Sequence, residues 1–289
     1  MYRSNAKLLL FGEYLMLDGY LGLALPLRHG QILDHTNAGD TSISLIGYAH
    51  DHTVWQEERR PSSGTSLFHR CCAWLDSQGL IPPGHHHLTT TLTYPQMRGL
   101  GSSSTFIDLI AQWVGCDPFA LYRAVSLGSG YDIACARQKK PLLYDPITTE
   151  SQTVDLDPSL LAGMYCIPCG HKQSSDKAIA HYRSRFHQGP DHYDRCEFLD
   201  GLLYEQTIWG WGQGIVYHDT IIASLINQPP LMQSHPWIGE VGYGKWLGAW
   251  GGDCFLILSD YHPDHVRAVC HRAGYDLCLP LQTMLWDGE

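Results

Sequence analysis

The sequence has no long hydrophobic run, and charged residues make up only 17% of its 289 positions. No apolar stretch approaches the roughly 18 residues that a membrane-spanning helix needs, so we expect no membrane contact. Residues 7–11 are too short for the core of a signal peptide, and Gly12 and Glu13 interrupt them. The predicted location is therefore the cytoplasm.

Basic residues are scarce as well. The 19 Lys and Arg residues stand against 29 Asp and Glu, which gives a formal net charge of −10. Binding to a nucleic-acid backbone needs a basic surface, so this balance argues against nucleic acid as a main partner. Anionic nucleotides are still compatible with it, because Mg²⁺ and backbone amides can supply local positive potential.

Two common phosphate-binding motifs are missing. No G-x-x-x-x-G-K-[ST] segment occurs, which excludes a classical P-loop nucleoside triphosphatase. No G-x-G-x-x-G follows a strand-like run near the N-terminus, so nothing favours a dinucleotide-binding fold.

The cysteines and histidines give weak signals. The ten cysteines are irregularly spaced, and they are expected to be reduced thiols. Cys166 and Cys169 form a lone C-x-x-C, which fits a redox or zinc role less well than the end of a buried strand. The run 85–87 of three histidines follows Pro82-Pro83-Gly84 and is predicted to be a solvated turn, because a metal role would need further ligands.

Three glycine-rich segments are present, at residues 7–14, 95–104 and 245–254. The central one carries Gly99 and Gly101, then four hydroxyl residues at 102–105, and then apolar residues at three- and four-residue steps. This pattern predicts a helix with one buried face. The unpaired N–H groups of its first turn favour a phosphate, and its hydroxyls suit Mg²⁺. The alternative is an ordinary Gly-Ser turn that caps a core helix.

The remaining patterns indicate strands and helices without a strict βαβ alternation, so the fold class is α+β. Strands are predicted at 7–11, 21–27, 42–48, 88–94, 142–145, 151–154, 164–168, 254–258 and 275–280. Helices are predicted from 102 onward and at 64–75, 118–125, 174–185, 196–209, 219–226 and 264–273.

The three glycine-rich segments resemble the motifs of the GHMP kinases. The central segment resembles P-x-x-x-G-L-G-S-S-A, with Ser104 at the usual alanine, through Pro95, Gly99, Leu100, Gly101, Ser102 and Ser103. The first resembles P-G-K-x-x-L-x-G-E-H/Y through Lys7, Leu10, Gly12, Glu13 and Tyr14. The third resembles K-x-S-G-A-G-G-G, with Trp250 at a usual glycine, through Lys245, Gly248, Ala249, Gly251 and Gly252.

A fourth segment points to one branch of that superfamily. Residues 128–134 resemble the G-S-G-x-D-x-A of mevalonate and phosphomevalonate kinases, and segments 15–19, 170–175 and 252–254 look like phosphomevalonate kinases. One position departs from the pattern: Leu121 stands where mevalonate kinases carry a Mg²⁺-binding glutamate. The segment Asp155-Leu156-Asp157-Pro158 is the candidate boundary between two domains, 1–157 and 158–289. The resemblance implies that the first is of the ribosomal S5 domain 2 type and that the second is ferredoxin-like.

The resemblance also implies roles for individual residues. Asp132 and Lys7 are predicted to be catalytic, with a helix cap and a solvated edge charge as their respective alternatives. Glu13 is predicted to contact substrate, or to hold its turn or position Lys7. ATP is predicted to contact Pro95, Gly99, Leu100, Gly101, Ser102, Ser103 and Ser104, with Mg²⁺ on Ser103. Further substrate contacts are predicted at Lys172, Ser174 and Ser175, which equally suit a helix cap, and at Gly251 and Gly252 on the nucleotide side.

The implied function is an ATP-dependent kinase that acts on mevalonate or 5-phosphomevalonate. The alternatives are a GHMP kinase for another small alcohol or sugar, and a GHMP-fold protein that binds nucleotide without catalysis. The expected partner is a small-molecule substrate, and the expected state is a monomer or homodimer.

Overall fold

The fold is described by a computed structural model for residues 1–38, 42–60, 64–94, 99–170, 175–185, 197–248, 250 and 253–286. Its contacts divide the chain into two compact units. Unit 1 comprises Met1–Lys7, Pro26–Gln96 and Leu100–Lys139, and unit 2 comprises Leu8–Leu25, Met97–Gly99 and Lys140–Glu289. The chain enters unit 2 for the last time at Lys140. The predicted domain boundary at 157/158 stays a prediction.

Helices and strands are mixed along the chain, and the α+β fold class is confirmed. The strands are β1 Tyr2–Phe11, β2 Gly22–Ala38, β3 Ile43–Tyr48, β4 Val54–Arg60, β5 His85–Leu92, β6 Leu142–Asp145, β7 Glu150–Thr153, β8 Met164–Pro168, β9 Tyr243–Leu247, β10 Cys254–Leu258 and β11 Leu279–Pro280. The α-helices are α1 Leu67–Ser77, α2 Ser102–Val114, α3 Pro118–Val125, α4 Tyr131–Cys135, α5 Pro158–Ala162, α6 Ser175–Arg185, α7 Glu197–Tyr204, α8 Ile208–Ile226, α9 Leu231–Ser234 and α10 Pro263–Arg272. Short 3₁₀ turns lie at Leu15–Asp18, Pro236–Glu240 and Leu281–Met284.

In unit 1 the strands follow the order β4-β3-β5-β2, and β1 also pairs with β2. Strand β3 runs parallel to β5, whereas its pairing with β4 is antiparallel. Helices α1, α2 and α3 supply most of the apolar core of this unit. Helix α1 shows why: its buried residues Phe68, Cys71, Cys72 and Leu75 recur at three- and four-residue steps, so one face is apolar.

In unit 2 the first residues of β2 pair antiparallel with β6, and β7 pairs with β6. A second, four-stranded antiparallel sheet has the order β11-β8-β10-β9. All five residues of β10 are buried, which explains the continuous apolar run in its sequence. None of the helices in the described ranges of the chain is long and apolar enough to span a membrane.

The three consecutive histidines are not a solvated turn, and that prediction is wrong. They open strand β5, and His86 is 1% exposed. The His86 Nδ1 atom lies 2.9 Å from His35 Nε2, and His86 Nε2 lies 2.8 Å from the Pro82 carbonyl oxygen. Because that carbonyl only accepts, His86 Nε2 carries a proton and donates to it. The sheet gives these polar side chains partners that the sequence does not reveal.

The lone C-x-x-C has the structural role that was favoured for it. Cys166 is fully buried in strand β8, and Cys169 follows the end of that strand. Across the described ranges, no group of three or more His, Cys, Asp or Glu side chains is arranged to hold a metal ion.

Candidate functional site

The glycine loop of unit 1 leads into the first turn of α2. Gly101 is the N-cap of α2 and has a φ of 87°, a conformation that glycine adopts without steric cost. The carbonyl of Gly101 accepts from Thr105 N at 2.9 Å and from Ser104 Oγ at 2.8 Å. Helix α2 therefore begins at Ser102, directly after a glycine in the left-handed conformation, where the sequence predicts its start.

The hydroxyls of the first turn of α2 have different surroundings. Ser104 and Thr105 are buried and bond within the unit, and Ser102 shares a hydrogen bond with Tyr94. Ser103, by contrast, is exposed. Of these four hydroxyl residues, Ser103 is thus the one whose side chain is open to a phosphate or a Mg²⁺ ion.

Lys7 and Asp132 lie close together in unit 1 although they are far apart in the sequence. Tyr131, the residue directly before Asp132, is 124 positions away from Lys7. Lys7 lies in strand β1, and its backbone N–H donates a hydrogen bond to the Leu100 carbonyl at 3.1 Å. Its ammonium Nζ lies 3.3 Å from Asp132 Oδ1. The two side chains are 10% and 18% exposed, so this ion pair is largely shielded from water.

Asp132 lies in the first turn of the short helix α4, which follows Gly130 in the left-handed conformation. The N-cap of this helix is Gly130, and Asp132 is its second residue. The structure also contributes a neighbour that the sequence did not single out: Tyr131 Oη lies 2.5 Å from Lys7 Nζ.

We predict that Gly101→Ala lowers the free energy of unfolding by about 1–3 kcal/mol. A Cβ at residue 101 would lie 2.9 Å from Ser104 Oγ and 3.0 Å from Lys7 Cε, in addition to the strained φ. The matched control is Gly79→Ala, since Gly79 has a φ of +64° with no atom within 4 Å of an added Cβ. Urea denaturation of both variants tests this, and equal losses of unfolding free energy would contradict a cost from the contacts with Ser104 and Lys7.

A second cluster of charged side chains lies in unit 2. Glu13 forms an ion pair with Lys245, and these side chains are 1% and 0% exposed. The other carboxylate oxygen of Glu13 lies 3.6 Å from His218 Nε2, which accepts a hydrogen bond from Gly12 N at 3.1 Å. Lys245 also donates to the Trp246 carbonyl at 2.8 Å. Glu13 thus joins the first glycine-rich segment to the third, and a substrate contact would require this ion pair to open.

Burial shifts the pKa values of the acids in this cluster. It raises the pKa of Glu13 to about 6, against the opposing effect of Lys245. Burial likewise raises the pKa of Asp219 to about 6, although Asp219 accepts from Leu231 N at 2.7 Å and Trp246 N at 2.8 Å. Burial, and then the charge of Lys245, hold the pKa of His218 well below its usual value, so this ring is neutral.

The raised pKa of Asp219 predicts a pH-dependent stability. Because its folded pKa of about 6 exceeds the ordinary 3.8, the folded state binds the proton more tightly. The contribution of Asp219 is therefore fully present below pH 3.8 and is lost as the pH rises to about 6. We expect the stability of the wild type relative to Asp219→Asn to fall by about 2–3 kcal/mol over this interval. Urea denaturation across pH tests this, with the exposed Asp260→Asn as control; parallel pH profiles for wild type and Asp219→Asn would contradict it.

The third glycine-rich segment departs from the family pattern at Trp250. This residue has a φ of 56° and is 7% exposed, and its ring packs 6.5 Å from that of Trp246. A tryptophan here occupies the left-handed region of backbone conformation, which glycine adopts without steric cost. Asp253, which is 6% exposed, lies beside Gly99: a Cβ on Gly99 would be 2.6 Å from the Asp253 Cβ.

The structure thus gathers Lys7, Leu100, Gly101, Ser104 and Asp132 in unit 1. Pro95, Lys172, Ser174, Gly251 and Gly252 lie outside the described residues. Ser175 begins α6, but its side chain also lies outside them.

No protein-family model and no curated protein sequence matches the chain. Solved structures do match it. One is Streptococcus pneumoniae phosphomevalonate kinase in complex with phosphomevalonate and AMPPNP, at 17% identity and a TM-score of 0.68, covering 94% of this chain and 95% of that one. The chain has the GHMP kinase fold.

Two further structures with the GHMP kinase fold support this. Lactococcus lactis galactokinase complexed with galactose has 14% identity and a TM-score of 0.67, over 94% of this chain and 87% of that one. L. major mevalonate kinase in complex with R-mevalonate has 13% identity and a TM-score of 0.62, over 98% and 93%. The shared GHMP fold extends over nearly the whole chain.

Proposed function

We propose that the protein is an ATP-dependent kinase that transfers the γ-phosphate of ATP to mevalonate or 5-phosphomevalonate. The observation that carries this proposal is the shielded Lys7–Asp132 ion pair next to the glycine-capped first turn of α2, in a chain with the GHMP fold. Phosphoryl transfer depends on positioning and on neutralisation of charge more than on covalent chemistry, and these groups supply both.

Each residue has a defined task in this proposal. The N–H groups at the start of α2 bind phosphate oxygens, because the helix end carries partial positive charge. Lys7 stabilises the negative charge that develops on the transferring group. Asp132 accepts the proton of an attacking hydroxyl, or orients the nucleophile if the acceptor is already a phosphate.

The residues also fit a Mg²⁺ ion bound mainly through the nucleotide. Leu121, which stands at the position of the family's glutamate ligand, is 0% exposed in the apolar core of unit 1. Ser103 offers an exposed hydroxyl. Mg²⁺ commonly keeps its waters and binds through phosphates and few protein oxygens, which agrees with this set. When bound, it would neutralise phosphate charge.

The acceptor is the finer part of the proposal. The motif at 128–134 and the similarity to kinases bound to phosphomevalonate and to mevalonate favour the mevalonate route. The similarity to a galactose-bound galactokinase makes another small alcohol or sugar the second candidate. The buried pairing of Lys7 with Asp132 argues against a nucleotide binder without catalysis. We further propose a cytoplasmic monomer or homodimer without nucleic-acid or membrane partners.

A coupled ADP-release assay with ATP and Mg²⁺ tests the proposal. It is run in parallel with mevalonate, 5-phosphomevalonate and galactose, and ATP affinity is measured separately by calorimetry. Turnover with one of the first two acceptors supports the proposal and identifies the substrate. Turnover with galactose alone would show that the acceptor is a sugar and not mevalonate or 5-phosphomevalonate. ATP binding without turnover of any acceptor would contradict kinase activity on these substrates.

A further inference from the structure

Asn5 stands two residues before Lys7, at the position where the family motif P-G-K has a proline. The structure gives this asparagine two hydrogen bonds to one segment. Its backbone N–H donates to the Ala136 carbonyl at 2.7 Å, and its side-chain amide donates to the Gln138 carbonyl, also at 2.7 Å. A proline has no backbone N–H and no side-chain amide, so it could form neither bond. Asn5 is buried, and a buried polar group is costly to leave unpaired.

The segment that accepts these bonds, 136–138, directly continues helix α4. The N–H of Gln138 donates back to the carbonyl of the last residue of α4 at 3.1 Å. Helix α4 carries Asp132, and strand β1 carries both Asn5 and Lys7. The two bonds of Asn5 therefore tie the strand of the lysine to the helix of the carboxylate.

Helix α2 holds the same segment through an ion pair. The Arg137 guanidinium contacts Asp108 Oδ1 of α2 through two nitrogens, at 3.0 Å and 2.9 Å. The Asp108 side chain is 1% exposed, so its charge needs a partner that compensates its burial. Its other oxygen accepts from Gln112 Nε2 at 2.7 Å, and the same nitrogen donates to the Arg3 carbonyl of β1 at 2.9 Å. These contacts link the exit of α4 to α2, and α2 to β1.

We propose that Asn5 is a positioning residue that sets the separation of Lys7 from Asp132. It acts together with the Arg137–Asp108 ion pair, and these three residues are called the clamp below. The clamp joins the elements that carry the lysine, the carboxylate and the first turn of α2. Phosphoryl transfer depends on positioning, and a displacement of about 1 Å can lower a rate about 100-fold. The inference rests on the proposed kinase function for its catalytic meaning, whereas the clamp itself needs no substrate.

The decisive variant is Asn5→Asp, which keeps the size of the side chain but replaces the donating amide with an acceptor oxygen. A carboxylate and the Gln138 carbonyl both only accept, so their hydrogen bond is lost and the two groups repel each other. We expect kcat to fall about tenfold with an unchanged KM for ATP, because Asn5 has no bond to the first turn of α2. Asn37→Asp is the matched control, since it makes the same chemical change at an exposed asparagine of unit 1.

Amide hydrogen exchange without substrate separates this inference from the proposed function. In Asn5→Asp, peptides that span β1 and α4 are expected to exchange about tenfold faster than in the wild type, while those of β5 are unchanged. This result supports the clamp even if the wild type turns over no acceptor. If Asn5→Asp does not fold, Arg137→Lys is measured in the same ways with the same expectations, because it keeps the charge but loses the contact through two nitrogens.

The contrary outcomes are equally definite. Wild-type exchange in the α4 peptides of the folded variant would show that Asn5 does not hold this helix, and exchange that is faster by the same factor in all peptides would reduce Asn5 to a contribution to global stability. Either result would overturn the clamp. In an active enzyme, a wild-type kcat, or a KM for ATP that rises as kcat falls, would overturn the positioning role.

Discussion

Replacing Asp132 with asparagine is expected to lower kcat by about two orders of magnitude or more. Asparagine keeps the shape of the side chain but cannot take a proton from an acceptor hydroxyl, and it leaves the ammonium of Lys7 without its carboxylate partner at 3.3 Å. ATP affinity is expected to stay close to that of the wild type, because the N–H groups at the start of α2 are unchanged.

The measurement is steady-state turnover with the acceptor found active, together with calorimetric titration of ATP. Asp155→Asn is the matched control, since the side chain of Asp155 is 89% exposed in an ion pair with Lys140. A variant that loses turnover and ATP affinity together would point to a damaged nucleotide site, and one that retains full turnover would disprove the role of Asp132.

Lys245→Met is expected to lower the free energy of unfolding by about 3–5 kcal/mol. The substitution leaves the carboxylate of Glu13, 1% exposed, with no cation to compensate its burial. The double variant Glu13→Gln/Lys245→Met removes both charges, so we expect it to be more stable than Lys245→Met alone.

Equilibrium urea denaturation of the wild type, Lys245→Met and Glu13→Gln/Lys245→Met checks this prediction. The control is Lys140→Met, because the ion pair of Lys140 with Asp155 is 64% and 89% exposed and is expected to contribute less than about 1 kcal/mol. Equal losses of unfolding free energy in Lys245→Met and Lys140→Met would show that the buried ion pair contributes no more to stability than the exposed one.

Local pattern alone was sufficient for several elements. Helix α3 and strands β6, β8 and β10 have the bounds that the sequence predicts. Helix α3 begins at a strong local signal, the Asp117 cap followed by a proline. Strand β10 is an uninterrupted apolar run. Here the local preference and the tertiary environment agree.

The sequence-based predictions missed a strand and misplaced the start of a helix where tertiary contacts determine the secondary structure. Strand β4 was not predicted, because it is charged and lies at the edge of its sheet, where one side of the ladder is unpaired. Helix α8 begins eleven residues before the predicted 219, and its first turns contain three glycines. Gly212 shows their real role: a Cβ there would lie 2.2 Å from the Tyr243 ring, so only glycine permits this close packing.

By itself, the sequence determined the α+β class and the start of α2 directly after Gly101, because helix caps, glycine conformations and apolar periodicity act within a few residues. The tertiary structure alone decided that Lys7 contacts Tyr131 and Asp132, that Glu13 pairs with Lys245, and that the histidines at 85–87 lie within a sheet. These contacts join residues far apart in the chain. Their formation depends on burial and on the partner that each polar group finds there, and local sequence carries neither.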